Sequence, residues 1–331
     1  MLNRHHPIVA LAGAVIFTSA LAACGASSSQ GEASFVDEPA ALPGPSGAEP
    51  LPVSASEPED LPGVDTAHLV RRERVMWWKL VSELYAPCSE HAVSIAQCVR
   101  ESRACGACVP AAQLIADRFK RGASSSEVQA AYAARFGPDV RQVDAGSSPS
   151  RGPEGAPVKV VVWSDFECPS CRRAMPIIDR AFERHNGEVR LIHKFYPLPA
   201  HLHAMPAARA AFAAHAQGKY WEMERLLFEN QQALTDADLL GYARKLGLDM
   251  KRFQADMESE AAMQAIAHDK EAANKAGLRG TPHILINGRY FDYGLFNIEA
   301  DFGRWVDLEV KLAGEQRAAT SASPAAPGSA P

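Results

Sequence analysis

The sequence has no excess of positive charge: 39 aspartates and glutamates outnumber 34 lysines and arginines, and the formal net charge is −5 at pH 7. This balance argues against a nucleic-acid-binding surface as the main function. After one apolar run near the N-terminus, no further segment approaches the length that spans a membrane. What the chain does contain is 331 residues that are 47% hydrophobic, which is enough for two globular domains.

The N-terminus has the pattern of a secretory signal. A short basic start is followed by an apolar run from Ile8 to Ala23, which is too short to be a good membrane span. The ending Leu-Ala-Ala-Cys24 resembles the lipobox of bacterial lipoproteins, which implies a signal peptide over residues 1–23 and lipidation of Cys24. The alternatives are an ordinary cleaved signal or an uncleaved anchor. In each case we expect the protein to work outside the cytoplasm, where disulfides persist.

Three stretches are rich in Ser, Pro, Gly and Ala and have no apolar period. Such stretches cannot bury enough apolar surface to become ordered, and they predict a flexible tether at residues 24–65, a linker at 144–157 and a disordered tail at 313–331. Two globular domains remain, at residues 66–143 and 158–312.

The first domain has apolar residues at helical spacing, which predicts a small all-α domain. One helical pattern stops at Pro87 and a second closes at Gly122. Ser124 and Glu127 form a capping box at the start of a third helix.

Four cysteines lie in this helical domain, and three interpretations of them stay open. Two structural disulfides would stabilise a bundle that is too small to be very stable alone, and this reading is favoured outside the cytoplasm. Cys105 and Cys108 form a CxxC pair that could instead be redox active, and with Cys88 and Cys98 they could hold a metal ion. The segment from Cys105 to Val140 resembles the N-terminal helical domain of CcmH-type proteins of cytochrome c maturation, although Cys88 and Cys98 have no counterpart there.

The second domain opens with a β-branched strand that leads through a tight turn into Cys168-Pro169-Ser170-Cys171 and then into a helical pattern. A cysteine at a helix N-terminus faces unpaired N–H groups and the positive end of the helix dipole, so its thiolate is stabilised. In CxxC sites of this kind the pKa of that thiol falls to roughly 3.5–7. The second cysteine lies one turn away and can resolve a mixed disulfide.

Further motifs follow this CxxC helix. They are a strand over residues 188–196, Pro197-Leu198 with His201, the stretch QGKYWEM over 217–223 within a long interrupted helical region, and a Gly-Thr-Pro…Asn-Gly pattern over 280–288. The whole segment resembles the DsbA-like branch of the thioredoxin superfamily. That resemblance implies an α/β thioredoxin-like fold with a helical insertion, preceded here by the all-α domain.

The resemblance also implies roles for individual residues. Cys168 is the exposed nucleophile and Cys171 the buried resolving thiol, with Pro169 and Ser170 between them. Pro282 is the cis-proline beside the sulfur atoms, and the backbone of Thr281 pairs with an extended substrate. These residues form the expected catalytic and substrate-binding set.

One departure concerns a buried acid that relatives usually carry six residues before the nucleophile, where this chain has Val162. Asp165, Glu167 and Lys194 are candidates to replace it, but we expect each to be a surface or strand-edge charge. Two alternatives for the CPSC sequence stay open. They are a closed structural disulfide and half of a metal site with His283. His193, His201, His203 and His283 are expected to be surface or satisfied interior histidines.

The sequence therefore predicts a lipid-anchored thiol-disulfide oxidoreductase of the periplasm or cell envelope. Its substrates would be protein thiols and disulfides, with oxidation favoured, and an unidentified redox partner would recycle it. No cofactor, metal or nucleic acid is expected. Gly25 follows Cys24 in place of an Asp that would resemble an inner-membrane retention signal, which favours the outer membrane. The alternatives are a cytochrome c maturation factor that uses both CxxC pairs, and a non-catalytic binding or chaperone lipoprotein.

Overall fold

The structure is a computed structural model that describes residues 57–88 and 92–322. The predicted signal peptide, the lipidation site Cys24 and most of the predicted tether lie outside the described residues. Among the residues that are described, no helix is both long enough and apolar enough to cross a membrane.

The described chain begins with an all-helical region and continues with a mixture of strands and helices, which confirms the predicted α/β class with an N-terminal all-α region. In the described part of the chain the helices are Arg71–Glu83 (α1), Ile95–Arg100 (α2), Cys108–Lys120 (α3), Ser125–Phe136 (α4), Pro169–Arg184 (α5), Ala204–His215 (α6), Tyr220–Glu229 (α7), Asp236–Lys245 (α8), Met250–Glu258 (α9), Glu260–Lys275 (α10) and Ile298–Ala322 (α11). The strands are Ser150–Arg151 (β1), Val158–Ser164 (β2), Val189–Phe195 (β3), His283–Ile286 (β4) and Arg289–Tyr290 (β5).

The strands form one mixed sheet in the order β1-β3-β2-β4-β5. The central strands β2 and β3 are parallel and are connected by α5, whereas β1, β4 and β5 each pair antiparallel with a neighbour. Six of the seven residues of β2 are buried, because helices cover both faces of the sheet, and this explains its continuous apolar run. A turn of three residues connects the carboxyl end of β2 to the CPSC sequence, so the sheet positions the cysteines.

A helical insertion separates the two halves of the sheet. The five helices from α6 to α10 lie between β3 and β4, as the interrupted helical pattern predicts. The hairpin from β4 to β5 turns at Asn287 and Gly288, which both have positive φ values of 48° and 80°. A side chain on Gly288 would also collide with the carbonyl of Arg141, since a Cβ there would lie 2.5 Å from that oxygen.

The N-terminal module, α1 to α4, has its own core around the buried Trp77, whose Nε1 donates to the carbonyl of Ala112 at 3.0 Å. Its four cysteines form two disulfides, Cys88–Cys105 and Cys98–Cys108. Cys105 and Cys108 are therefore bonded to other cysteines and not to one another. The two bridges are neighbours, because the sulfur atoms of Cys98, Cys105 and Cys108 lie within 4.8 Å of one another.

The segment predicted as a flexible linker, residues 144–157, has defined partners in the structure. Ser150 and Arg151 form β1 and extend the sheet at β3. The ammonium group of Lys194 donates to the carbonyl of Ala145 at 3.3 Å and to Ser148 Oγ at 2.8 Å. The prediction of a flexible linker was wrong, because it relied on the absence of an apolar period, whereas backbone pairing and polar contacts order this segment.

The predicted domain ends also differ from the structure. Helix α11 continues to Ala322, ten residues beyond the predicted boundary at 312, and Arg317 on this extension donates to Glu188 at 3.0 Å. Alanine-rich sequence favours helix even where it has no apolar period. At the other end Leu61, which the sequence places in the tether, is 3% exposed and belongs to the core of the N-terminal module.

Candidate active site

The CPSC sequence lies at the junction of β2 and α5, as predicted. Cys168 is the N-cap residue of α5 with extended backbone (φ −74°, ψ 121°), and its N–H donates to the carbonyl of Asp165 at 3.1 Å. Pro169, which is exposed, occupies the first helical position, where a missing N–H costs no hydrogen bond. Ser170 is half-exposed, and its hydroxyl accepts from Arg173 at 3.2 Å.

Cys168 has the properties of a nucleophilic thiol. Both Cys168 and Cys171 carry unbonded thiols in this structure. A hydrogen bond from the Cys171 thiol lowers the pKa of Cys168 to about 5, and the Thr281 side chain and the backbone N–H groups of Cys171 and Ser170 act in the same direction against the effect of burial. Cys168 is therefore ionised at neutral pH, which is the form that attacks disulfides.

Cys171 has the opposite character. The residue is fully buried, and burial together with the neighbouring Cys168 raises the pKa of its thiol well above the usual value. Cys168 itself is only 6% exposed, less than the sequence resemblance implies. The site thus holds one ionised sulfur on a nearly buried residue and one neutral sulfur on a fully buried residue.

The loop before β4 completes the surroundings of the sulfurs. The Thr281–Pro282 peptide bond is cis, as the resemblance implies, and Pro282 is buried. Cys168 Sγ lies 3.5 Å from the Thr281 carbonyl oxygen, which accepts a hydrogen bond from this sulfur when it is protonated. The Thr281 side chain acts to lower the pKa of both thiols.

Two acidic residues that the sequence predicts at the surface or a strand edge are fixed beside the cysteines. Asp165 is 1% exposed, so the prediction was wrong for this residue. Its carboxylate accepts from the N–H groups of Glu167 and Leu198 and from His201 Nδ1, all within 2.8 Å. The signal available in sequence was the Pro-Leu-x-x-His motif, but nothing there shows that its histidine and backbone reach Asp165.

Glu167 and Lys194 are also less exposed than the sequence predicts. Glu167 is half-buried, and its carboxylate accepts from the backbone N–H of His203 at 2.7 Å. Lys194 is fully buried on β3 and pairs with Asp269 of α10 at 2.9 Å, so the prediction of an exposed charge was wrong here too. The pairing partner lies 75 residues along the chain, which a local pattern cannot show.

The remaining site predictions concern Val162 and two histidines. Val162 is fully buried in the middle of β2. His193 is a satisfied interior histidine, with ring nitrogens that contact Ser164 Oγ and the Tyr220 hydroxyl. His283 is buried too, but its ring nitrogens have no partner among the described residues, and its ring stacks on Tyr290 at 4.4 Å between centroids.

The model of the thioredoxin family matches residues 144–303. The chain belongs to the thioredoxin superfamily. Its helical insertion between β3 and β4 is the feature that the resemblance to the DsbA-like branch implies, and the predicted thioredoxin-like α/β fold is confirmed.

Solved structures of similar proteins include a thioredoxin-like oxidoreductase from Silicibacter pomeroyi, which is 31% identical with a TM-score of 0.45 and is matched over 50% of this chain and 94% of that one. The thiol-disulfide exchange protein α-DsbA2 from Wolbachia pipientis is 19% identical with a TM-score of 0.44, over 55% of this chain and 94% of that one. The Na⁺/H⁺ antiporter NhaA 3 of Salinispora tropica is 42% identical over 151 residues, which are 45% of this chain and 23% of the antiporter. The chain thus spans about a quarter of the length of such curated relatives.

Proposed function

We propose that this protein is an extracytoplasmic thiol-disulfide oxidoreductase that exchanges disulfides with protein substrates through Cys168 and Cys171. The observation that carries the proposal is the difference between the two sulfurs. One is an ionised N-cap thiol beside cis-Pro282, and the other is a buried neutral thiol one turn away. This arrangement can form a mixed disulfide at Cys168 and resolve it from within.

The oxidising reaction begins from the Cys168–Cys171 disulfide. A substrate thiolate attacks the Cys168 sulfur, the bond between the two cysteines breaks, and Cys171 leaves and takes a proton. A second substrate thiolate then attacks the substrate sulfur of the mixed disulfide, and Cys168 leaves as a thiolate. Two electrons have passed from the substrate sulfurs to the protein, so a separate redox partner must reoxidise it. A low pKa of Cys168 makes it a good leaving group and stabilises the reduced protein, which supports oxidation as the direction.

The location is part of the same proposal. The sequence of residues 1–23 supports export, and Cys24 is the proposed lipidation site that holds the protein at the cell envelope, with the outer membrane favoured. Two disulfides in the N-terminal module fit an oxidising compartment. We propose that the module is a structural partner of the thioredoxin-like domain.

The proposal is tested with a reduced, unfolded protein as substrate and with glutathione as the regenerating buffer. We expect the purified protein to accelerate disulfide formation, Cys168→Ser to lower the rate to background, and Cys171→Ser to accumulate a mixed disulfide at Cys168. The matched control is the double variant Cys88→Ala/Cys105→Ala, which should keep the activity. A Cys168→Ser protein that is as active as the native one would refute the proposal.

A further inference from the structure

The carboxylate of Asp165 fixes one histidine beside the active site. Asp165 is 1% exposed, and a carboxylate only accepts hydrogen bonds, so His201 must donate from Nδ1 to Asp165 Oδ2 at 2.8 Å. The backbone N–H of Leu198 donates to the same oxygen at 2.8 Å and restrains the loop that carries His201. These contacts define the orientation of the imidazole and its tautomer, and they leave Nε2 as the nitrogen that gains or loses a proton.

Asp165 also connects this imidazole to the nucleophile. Its backbone carbonyl accepts from the N–H of Cys168 at 3.1 Å, while its side chain holds His201, so both groups are attached to one buried residue. Burial opposes protonation of His201, but the hydrogen bond and charge of Asp165, with the charges of Cys168 and Glu167, raise the pKa of the imidazole. From α10, Lys270 faces the same loop, and its ammonium group donates to the carbonyl of Pro197 at 3.4 Å.

A neighbouring histidine offers a comparison within the same loop. His203 Nδ1 lies 3.4 Å from Glu167 Oε1, so it too is paired with an acidic residue that precedes Cys168. That pair is half-exposed, with 35% of the His203 side chain and 24% of the Glu167 side chain accessible, whereas Asp165 is fully enclosed. The difference makes His203 a matched control for His201.

We propose that His201, held by Asp165, is a positioning residue whose positive charge stabilises the Cys168 thiolate and thereby shifts the redox equilibrium of the site toward the reduced form. This inference rests on the proposed thiol-disulfide exchange. In that exchange the reduced pair, one thiolate and one thiol, reacts with a partner disulfide. The Cys168–Cys171 bond forms, the partner bond breaks, two electrons pass to the partner sulfurs, and the Cys171 proton passes to one of the two released partner thiolates.

Oxidation removes the thiolate charge of Cys168, which is one of the charges that raise the pKa of His201. The pKa of His201 must therefore be lower in the oxidised protein than in the reduced protein, because the coupling between the two groups is reciprocal. By the same coupling, loss of the imidazolium raises the pKa of the Cys168 thiol. The effect is present while His201 is protonated and disappears as the pH rises through its pKa.

The test compares the full-length protein with His201→Gln, His201→Lys and His203→Gln, using the equilibrium with reduced and oxidised glutathione at pH 6 and pH 8.5. At pH 6 we expect His201→Gln to shift the equilibrium about tenfold toward the disulfide, which is about 30 mV for a two-electron couple. His201→Lys should stay within about twofold of the native protein, and so should His203→Gln. At pH 8.5 the difference between the native protein and His201→Gln should be smaller than at pH 6, because less of His201 is protonated.

A separate measurement uses the native protein alone and does not depend on the folding of a variant. The pKa of His201, followed by NMR in the reduced and the oxidised protein, should fall on oxidation. Equal values in the two states, or a His201→Gln equilibrium equal to that of His203→Gln at pH 6, would overturn the inference. If the native protein does not equilibrate with glutathione at all, the proposed function itself fails, which is a distinguishable result.

Discussion

Arg135 of α4 donates to Glu309 of α11 at 2.5 Å, and both side chains are at most 10% exposed. The guanidinium group also lies over the Trp305 ring, 4.5 Å from its centroid, and Glu309 accepts from Asn287 at 2.7 Å. One buried ion pair thus connects the N-terminal module, the last helix and the β4–β5 hairpin. The two parts of the chain are packed against each other and are not merely joined by residues 144–157.

The ion pair predicts a large loss of stability when one partner is removed. Arg135→Ala leaves the Glu309 carboxylate buried without its partner and should lower the free energy of unfolding by about 3–5 kcal/mol. Arg304→Ala is the control, since Arg304 is 72% exposed and 3.9 Å from Asp117, and should change it by less than about 1 kcal/mol. Urea denaturation measures both. An Arg135→Ala protein as stable as Arg304→Ala would show that the contact does not form.

The disulfide pairing of the module is directly testable. Peptide mapping of the unreduced protein should find Cys88 linked to Cys105 and Cys98 linked to Cys108. Because the bridge Cys98–Cys108 closes a loop of 10 residues, Cys98→Ala/Cys108→Ala should lower the free energy of unfolding by about 3 kcal/mol without changing the reactivity of Cys168. A peptide that contains a Cys105–Cys108 bridge would contradict the pairing and favour a second redox pair.

The lowered pKa of Cys168 predicts how stability depends on pH. Folding lowers this pKa from 9.0 to about 5, so between these values the reduced native state binds fewer protons than the reduced unfolded state. The free energy of unfolding of the reduced protein should rise with pH in that window, by up to about 1.4 kcal/mol per unit, relative to the oxidised protein. The advantage should vanish as the pH falls through 5. Urea denaturation at several pH values measures it, and reduced Cys168→Ser should lack this slope.

Replacement of Leu202 offers a test of whether the substrates of the protein are polypeptides. Leu202 is 80% exposed between His201 and His203, whose contacts with Asp165 and Glu167 attach this loop to the residues that precede the nucleophile. Leu202→Ser should lower kcat/KM about tenfold for a peptide with an apolar residue beside its cysteine, the effect of losing about 1.4 kcal/mol of apolar contact. The rate with glutathione should stay within about twofold. Equal losses with both substrates would argue against a role in substrate binding.

The local sequence is sufficient to predict the main elements of the site. The strand before Cys168, the helix after it and the Asn287-Gly288 turn each follow from short patterns, and all three are present. The cis conformation before Pro282 came from the family resemblance, because a local sequence does not distinguish the two isomers.

The failures share one physical cause, which is that polar groups are buried when distant partners satisfy them. The sequence predicts Lys194 as a strand-edge charge, but in the structure it is buried and paired with Asp269, which lies 75 residues later in the chain. The sequence predicts Asp165 as an exposed charge, but in the structure His201 and the backbone N–H of Leu198 donate hydrogen bonds to its buried carboxylate. Cys88 is bonded to Cys105 and Cys98 to Cys108. These partners likewise depend on how distant parts of the module pack together, which the spacing of the cysteines in the sequence leaves open.

The most direct test of the account is the ionisation of Cys168 itself. The rate of alkylation of the reduced protein, followed by mass spectrometry of the Cys168 peptide between pH 3 and pH 10, should rise with a midpoint near pH 5 and stay level above pH 7. Cys171 should remain unmodified over the neutral range because it is buried and its pKa is raised. A Cys168 midpoint between pH 8 and pH 9, the range of an ordinary thiol, would contradict the proposed catalytic role.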